Sequence, residues 1–259
     1  MANIFSFHGT DSKVGVTMIS QSVAEIIAIL NPDINVLFAI MNGKTNDQYM
    51  TGNNVNIDEY KLQMDSRIII SKDFKRDCKY KDNLYILGGA VNEQDERYYY
   101  PESAKYLLES VQSDFNVIIT DTGNYLDNGL ALGALTNSIK KYLVLTQYES
   151  SIERFEHMKK WYEKSSLEFD KYVLNRFRED DQYTIRYLSE RLSIPYDDFF
   201  KINETIGERQ AESLKKTFVE LNNGLYSDQI LDIANDILNS MGYCAIKKQR
   251  KGKKWRGFI

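Results

Sequence analysis

With 259 residues, 42% of them hydrophobic, the chain can bury one sizeable core, and its three prolines and the lack of a Gly/Ser-rich stretch leave no linker to divide it. Two cysteines and two histidines exclude a disulfide framework and make a structural zinc site unexpected. No apolar stretch reaches the roughly 20 residues of a membrane span, and no basic segment precedes an apolar one at the N-terminus, so a cytoplasmic protein is expected.

Apolar runs of strand length alternate with segments of helical period, which predicts an α/β fold: a mostly parallel, twisted central sheet with helices on both faces. The expected strands are Ile4–His8, Asn35–Met41, Arg67–Ile70, Leu84–Leu87, Asn116–Asp121, Tyr142–Gln147, Lys171–Asn175 and Phe199–Ile202. Several are continuously apolar, as strands covered on both faces should be. Helices are expected over 16–30, 102–112, 127–137, 149–165, 183–192 and 206–220, the first stopped by Asn31-Pro32-Asp33. A last helix starts from a Ser227 cap, carries Ile230, Ile233, Ala234, Ile237, Leu238 and Met241 on one face, and stops at Gly242. Residues 44–82 are polar and lack a long apolar period, which predicts a surface excursion with one short helix near Ile57–Met64.

The junction of the first strand and helix carries the chemistry. Gly9-Thr10-Asp11-Ser12-Lys13-Val14-Gly15-Val16-Thr17-Met18 reads as a phosphate-binding loop without its lysine. In a working loop a Lys stands where Val16 is, because its ammonium reaches the β- and γ-phosphates while backbone N–H groups cradle them. A second apolar strand, Val117–Asp121, ends in Asp121-Thr122-Gly123. An Asp at that position holds Mg²⁺ opposite the loop hydroxyl, here Thr17; the plainer alternative is that Asp121 caps its own turn. A third strand ends in Asn175-Arg176.

In this order the parts resemble the MinD/ParA group of P-loop ATPases, and most of all its TadZ/CpaE branch, over nearly the whole chain to about residue 220. The family loop KGGVGKT matches Asp11 to Thr17, its Walker B strand matches Val117–Asp121, and Leu84 to Gly89 looks like its third strand. Its adenine-side Asn-Arg matches Asn175 and Arg176, and Ile194-Pro195-Tyr196 resembles a segment near the base. The resemblance implies ATP with Mg²⁺ as ligand: residues 9–18 on the phosphates, Asn175, Arg176 and Pro195 on the base side, and Thr17 and Asp121 on the metal. It also implies a homodimer.

Three departures stand out. The family's signature lysine is Asp11, its loop lysine is Val16, and the acidic pair after its second strand is replaced by Ala39 and Met41. Hydrolysis at a useful rate is therefore not expected. Binding is, because backbone N–H groups and a helix N-terminus attract phosphate without a lysine. Asp11 opposes it unless metal or solvent screens its charge, and Lys13 is a candidate replacement.

Net charge is −4, yet Lys247, Lys248, Arg250, Lys251, Lys253, Lys254 and Arg256 put +7 at the C-terminal end, leaving −11 on residues 1–240. The basic segment Lys247–Arg256 has three readings: a solvated end, an attachment to anionic membrane with Trp255, Phe258 and Ile259 as anchors, or a nucleic-acid contact. The expected organisation is one P-loop domain over 1–243 and a basic tail over 244–259. The expected role is a dimeric scaffold that locates a pilus or secretion-type machine, peripheral to the inner face of the membrane. The alternatives are an active ParA-type partition ATPase using Lys13 and a nucleotide-free adaptor with a vestigial loop.

Overall fold

A computed structural model describes residues 3–45, 48–52, 54–91 and 98–248. Its eight-stranded sheet comprises β1 (Ile4–Gly9), β2 (Val36–Ile40), β3 (Lys79–Lys81), β4 (Leu84–Leu87), β5 (Val117–Asp121), β6 (Lys140–Thr146), β7 (Lys171–Phe177) and β8 (Phe199–Asn203). Their spatial order is β3-β4-β2-β5-β1-β6-β7-β8. Only β3 runs antiparallel to its neighbour; the pairings among the other seven strands are parallel.

The helices are α1 (Val16–Leu30), α2 (Lys61–Ser66), α3 (Ser71–Asp77), α4 (Pro101–Val111), α5 (Gly129–Asn137), α6 (Glu149–Lys164), α7 (Ile185–Leu192), α8 (Glu208–Leu214) and α9 (Gly224–Ser240). Alternate strand residues feed opposite layers, as the pleat requires. Phe5, Phe7, Phe38 and Ile119 pack with Ile19, Val23 and Ile26 of α1 and Ile230 and Ile233 of α9. Ile4, Leu37 and Ile118 face Leu107 and Leu108 of α4 and Leu130 of α5. Leu143, Leu145 and Leu174 pack with Ile152 and Phe155 of α6 and Leu188 of α7. Each of these large side chains contributes about 1.5–3 kcal/mol through burial, so most of the stability lies in layers that hold the strand ends in place.

The expected strand at Arg67–Ile70 is absent. Arg67 turns left-handed (φ 54) to end α2, and Ile70 precedes α3, leaving Ile68 and Ile70 exposed. A short apolar run does not distinguish a strand from a helix–helix connection. The described part of the 44–82 excursion is richer than expected, with a 3₁₀ turn (Ile57–Tyr60), α2, α3 and the edge strand β3. The expected 206–220 helix stops early, where Lys215 turns left-handed (φ 50). The last helix begins one turn before Ser227, because the Asn223 side chain accepts the Tyr226 N–H at 3.1 Å. Most of the basic tail falls outside the described residues, apart from Lys247 and Lys248; Lys248 pairs with Asp232 at 2.7 Å. No described helix is long and apolar enough to cross a membrane.

Candidate functional site

The parallel strands end on one side of the sheet, and the loops after β1, β2, β5 and β7 meet there, as an open α/β sheet directs. Two bonds fix the start of the β1–α1 loop: the Gly9 N–H donates to the Gly123 carbonyl at 2.7 Å and the Thr10 N–H to that of Val144 at 2.9 Å. The loop then folds back through two left-handed residues, Lys13 (φ 61) and Gly15 (φ 93). Gly15 is required twice over, since a Cβ there would also lie 2.4 Å from the Asn175 amide nitrogen. That amide donates to the Val14 carbonyl at 2.8 Å, so β7 clamps the loop from below.

Helix α1 opens at Val16 with no side-chain cap and no acid in its first turn. Its free N–H groups and dipole favour an anion. Val16 contributes no charge: it is 7% exposed, and its Cγ2 lies 2.6 Å from where a Gly9 Cβ would be.

Thr17 does face its expected partner. Its hydroxyl donates to Asp121 Oδ2 at 2.5 Å, an oxygen also approached by the Asn42 amide at 3.4 Å. Asp121 Oδ1 accepts the Gly123 N–H at 2.9 Å. The carboxylate therefore caps its turn with one oxygen, as the plainer reading expects, and holds the loop hydroxyl with the other. Burial raises the Asp121 pKa above its ordinary value, opposed by the Thr17, Gly123 and Asn42 hydrogen bonds and by the nearby charge of Lys44.

A hydroxyl and a carboxylate are the oxygen donors that a hard cation such as Mg²⁺ takes. Among the described residues no group of three or more His, Cys, Asp or Glu could hold a metal unaided. Mg²⁺ at Thr17 and Asp121 would thus complete its shell with phosphate and water oxygens.

The loop encloses a cleft of about 470 Å³ lined by Asp11 to Met18 together with Asn175 and Arg176. Asn42, Lys44 and Tyr125 also line it, as do Tyr49, Asn203, Thr205 and Glu208. Gly9 and Thr10 lie beneath the loop, with the Thr10 hydroxyl 2.7 Å from that of Ser151 on α6. Pro195 is not brought to the cleft. It precedes a turn that feeds the beginning of β8, where Lys171 at the start of β7 binds Asp198 at 2.6 Å, at the far end of the strands. Thr205 and Glu208, which follow β8, line the cleft instead.

The structure also answers the Asp11 charge. Arg154 on α6 lies 3.6 Å from the Asp11 carboxylate, and its guanidinium sits 5.8 Å from the centre of the Tyr125 ring. Arg176 is likewise engaged, 2.9 Å from Glu208. Among the described residues the carboxylates that line the cleft are Asp11, paired with Arg154, and Glu208 and Glu212.

Ala39 and Met41 are fully buried, and His8 is enclosed between Tyr162 and Phe169, its pKa lowered to about 3 by burial. None of these three can activate a water in the cleft. Sequence reasoning missed Asn42, Lys44, Tyr125 and Arg154. Only Asn42-Gly43-Lys44, directly after an apolar strand, left a local signal.

No protein-family model matches the chain, and no curated protein matches it in sequence. Solved structures do match. A ParA family ATPase from Chlorobium tepidum TLS superposes with a TM-score of 0.79 at 16% identity, covering 90% of this chain and 99% of that one. The septum site-determining protein MinD from Pyrococcus horikoshii OT3, complexed with Mg-ADP, gives 0.73 at 16% identity, covering 93% and 98%. A plasmid partition protein from Borrelia burgdorferi B31 bound to AMPPNP gives 0.64 at 16% identity, covering 93% and 99%. At such identities the likeness is one of architecture: the chain has the fold of the MinD/ParA P-loop ATPases.

Proposed function

We propose that the protein binds ATP with Mg²⁺ as a structural or switching ligand and does not turn it over at a useful rate. The observation that carries this reading is the pairing of Thr17 with Asp121 at 2.5 Å beside a loop whose lysine position is a buried valine. The Thr17–Asp121 pair and a loop that runs into a helix N-terminus support this ligand, and among the described residues no lysine stands at the loop position and no acid stands at Ala39 or Met41. Neighbours of the same fold that hold Mg-ADP or AMPPNP support nucleotide as the ligand class. A MinD of this fold in complex with MinC supports a role through partners. In this reading the protein is a dimeric, TadZ-like scaffold that locates a pilus or secretion-type machine, with residues 1–243 as the working domain and the basic segment Lys247–Arg256 as its contact with anionic membrane.

Calorimetry with MgATP, phosphate-release assays and sedimentation with and without nucleotide test it together. Binding and dimerisation without phosphate release are expected. Steady phosphate release that is lost in Lys13→Ala would replace this reading with an active ParA-type ATPase. Absence of heat and of any mass change would leave a nucleotide-free adaptor.

A further inference from the structure

We infer that Lys44, entering from the loop after β2, is the cation that grips the nucleotide phosphates in place of the lysine missing at position 16. The inference rests on the nucleotide-binding reading above and names the residue that makes it work. A triphosphate needs positive charge at the loop, and Val16 directs only methyl groups at Gly9. Of the cations around the cleft, Arg154 is paired with Asp11 and Arg176 with Glu208. Lys13 and Lys44 remain, and among the described residues neither has an ion-pair partner.

The two differ in how they are held. Lys13 is exposed on the loop's outer turn. Lys44 is half-buried, and its backbone is tied to the metal side of the site. Its N–H donates to Asn42 Oδ1 at 2.9 Å, and the Asn42 amide reaches Asp121 Oδ2 at 3.4 Å, the oxygen that Thr17 also contacts. The β2 loop comes this close because position 123 is glycine. Gly123 has φ +61, and a Cβ on it would stand 2.8 Å from Asn42 Cβ.

The side chain is positioned too. The Lys44 ammonium lies 4.7 Å from the centre of the Tyr125 ring, and both residues line the cleft. Its charge is felt at Asp121, where it opposes the upward pKa shift caused by burial. A cation resting on an aromatic face is poised but not neutralised, and it exchanges that weak contact for a phosphate oxygen when one arrives. Lysine suits the task as a point charge on a flexible stem.

Calorimetric titration of the full chain with MgATP and with AMP, for wild type, Lys44→Ala, Lys44→Arg and Lys13→Ala, tests the inference. Lys44→Ala should weaken MgATP binding by about tenfold to a hundredfold, the usual range for losing a hydrogen bond to a charged group. AMP binding should be unchanged, because AMP lacks the β- and γ-phosphates. Lys44→Arg should retain most of the MgATP affinity, Lys13→Ala should cost less affinity than Lys44→Ala, and all variants should melt alike. Wild-type MgATP affinity in Lys44→Ala, an equal loss for AMP, or a loss confined to Lys13→Ala would overturn the inference and leave the nucleotide reading standing. A wild-type protein that binds no MgATP would overturn both.

Discussion

Replacing Glu25 with Gln should stabilise the protein, and increasingly so as pH rises. Glu25 sits on α1 at 1% exposure, between α1 and the segment leading into α9. Its carboxyl accepts from the Gln21 amide at 2.9 Å and from the Thr217 hydroxyl. Two charged groups face it. Glu220 repels the ionised form, and Lys81 offers little relief because it is already paired with Glu220 at 2.5 Å. Burial first and Glu220 second therefore raise the Glu25 pKa well above the ordinary carboxylate value of 4.5, so the native protein holds this proton at neutral pH. The unfolded chain releases it above that ordinary value. Between the two the native state binds one more proton than the unfolded state, and stability falls as pH rises, by about 1.4 kcal/mol per pH unit. A Gln at position 25 carries no such proton and keeps both hydrogen bonds, since the Thr217 hydroxyl can turn to accept from its amide. The gap between variant and wild type should widen by about 1.4 kcal/mol per unit from about pH 5 to about pH 7.5, or about 3–5 °C in melting temperature per unit for a chain of this size. Thermal unfolding of both proteins at three pH values across that range measures it. A gap that does not change with pH, or a Glu25→Gln protein that melts lower at the alkaline end, would refute a buried protonated glutamate.

Thr17→Val removes the hydroxyl from Asp121 while keeping the shape of the side chain. It should cost stability by about 1–3 kcal/mol and make MgATP and metal-free ATP titrate alike; a persisting Mg²⁺ requirement would move the metal elsewhere. Arg154→Ala should weaken MgATP binding by exposing the Asp11 charge, by up to about tenfold at low salt and less at high salt. Adding Asp11→Asn should restore the affinity, and failure of that rescue would show that Arg154 acts in some other way. Gly15→Ala places a Cβ against the Asn175 amide at a φ of +93; a loss of about 1–3 kcal/mol and of nucleotide binding is expected in melting and titration experiments, and a variant indistinguishable from wild type would deny the clamp.

The parts of this architecture that were legible in the sequence are those in which many residues repeat one demand. Val117–Asp121 is buried on both faces and could hardly be anything but a central strand, and α1 and α9 carry their apolar faces in plain periodicity. The loop was legible because Gly15 must be left-handed and a helix opens directly after it at Val16, both local requirements. What was lost depends on distant chain. Arg67–Ile70 has strand composition, but the packing of α2 against α4 and the left-handed Arg67 make it a connection. The edge strand β3 is three residues long with no buried side chain, so no pattern announces it. Pro195 was carried by resemblance alone, and the three residues around it did not fix on which end of the sheet they lie.

The charge around the cleft belongs to the same class of non-local facts. Set beside the loop the sequence resembles, Asp11 and Val16 are two departures, an acid where the resemblance expects a cation and a methyl surface where it expects an ammonium. In the folded chain Arg154, more than a hundred residues away in sequence, stands against the first. Lys44 lines the same cleft as the second. A grip on phosphate requires positive charge at a place in space and is indifferent to the strand that supplies it, so it can survive the loss of a motif residue. Hydrolysis is less forgiving, because an acid or base must also lie in line with the attacking water. The residues standing where the second strand's acids would be, Ala39 and Met41, are packed into the core, and no cleft carboxylate other than Asp11, Glu208 and Glu212 comes from the described residues to replace them. In the proposed reading the substitutions that would remove turnover would thus spare binding, which is the combination a nucleotide-held scaffold needs.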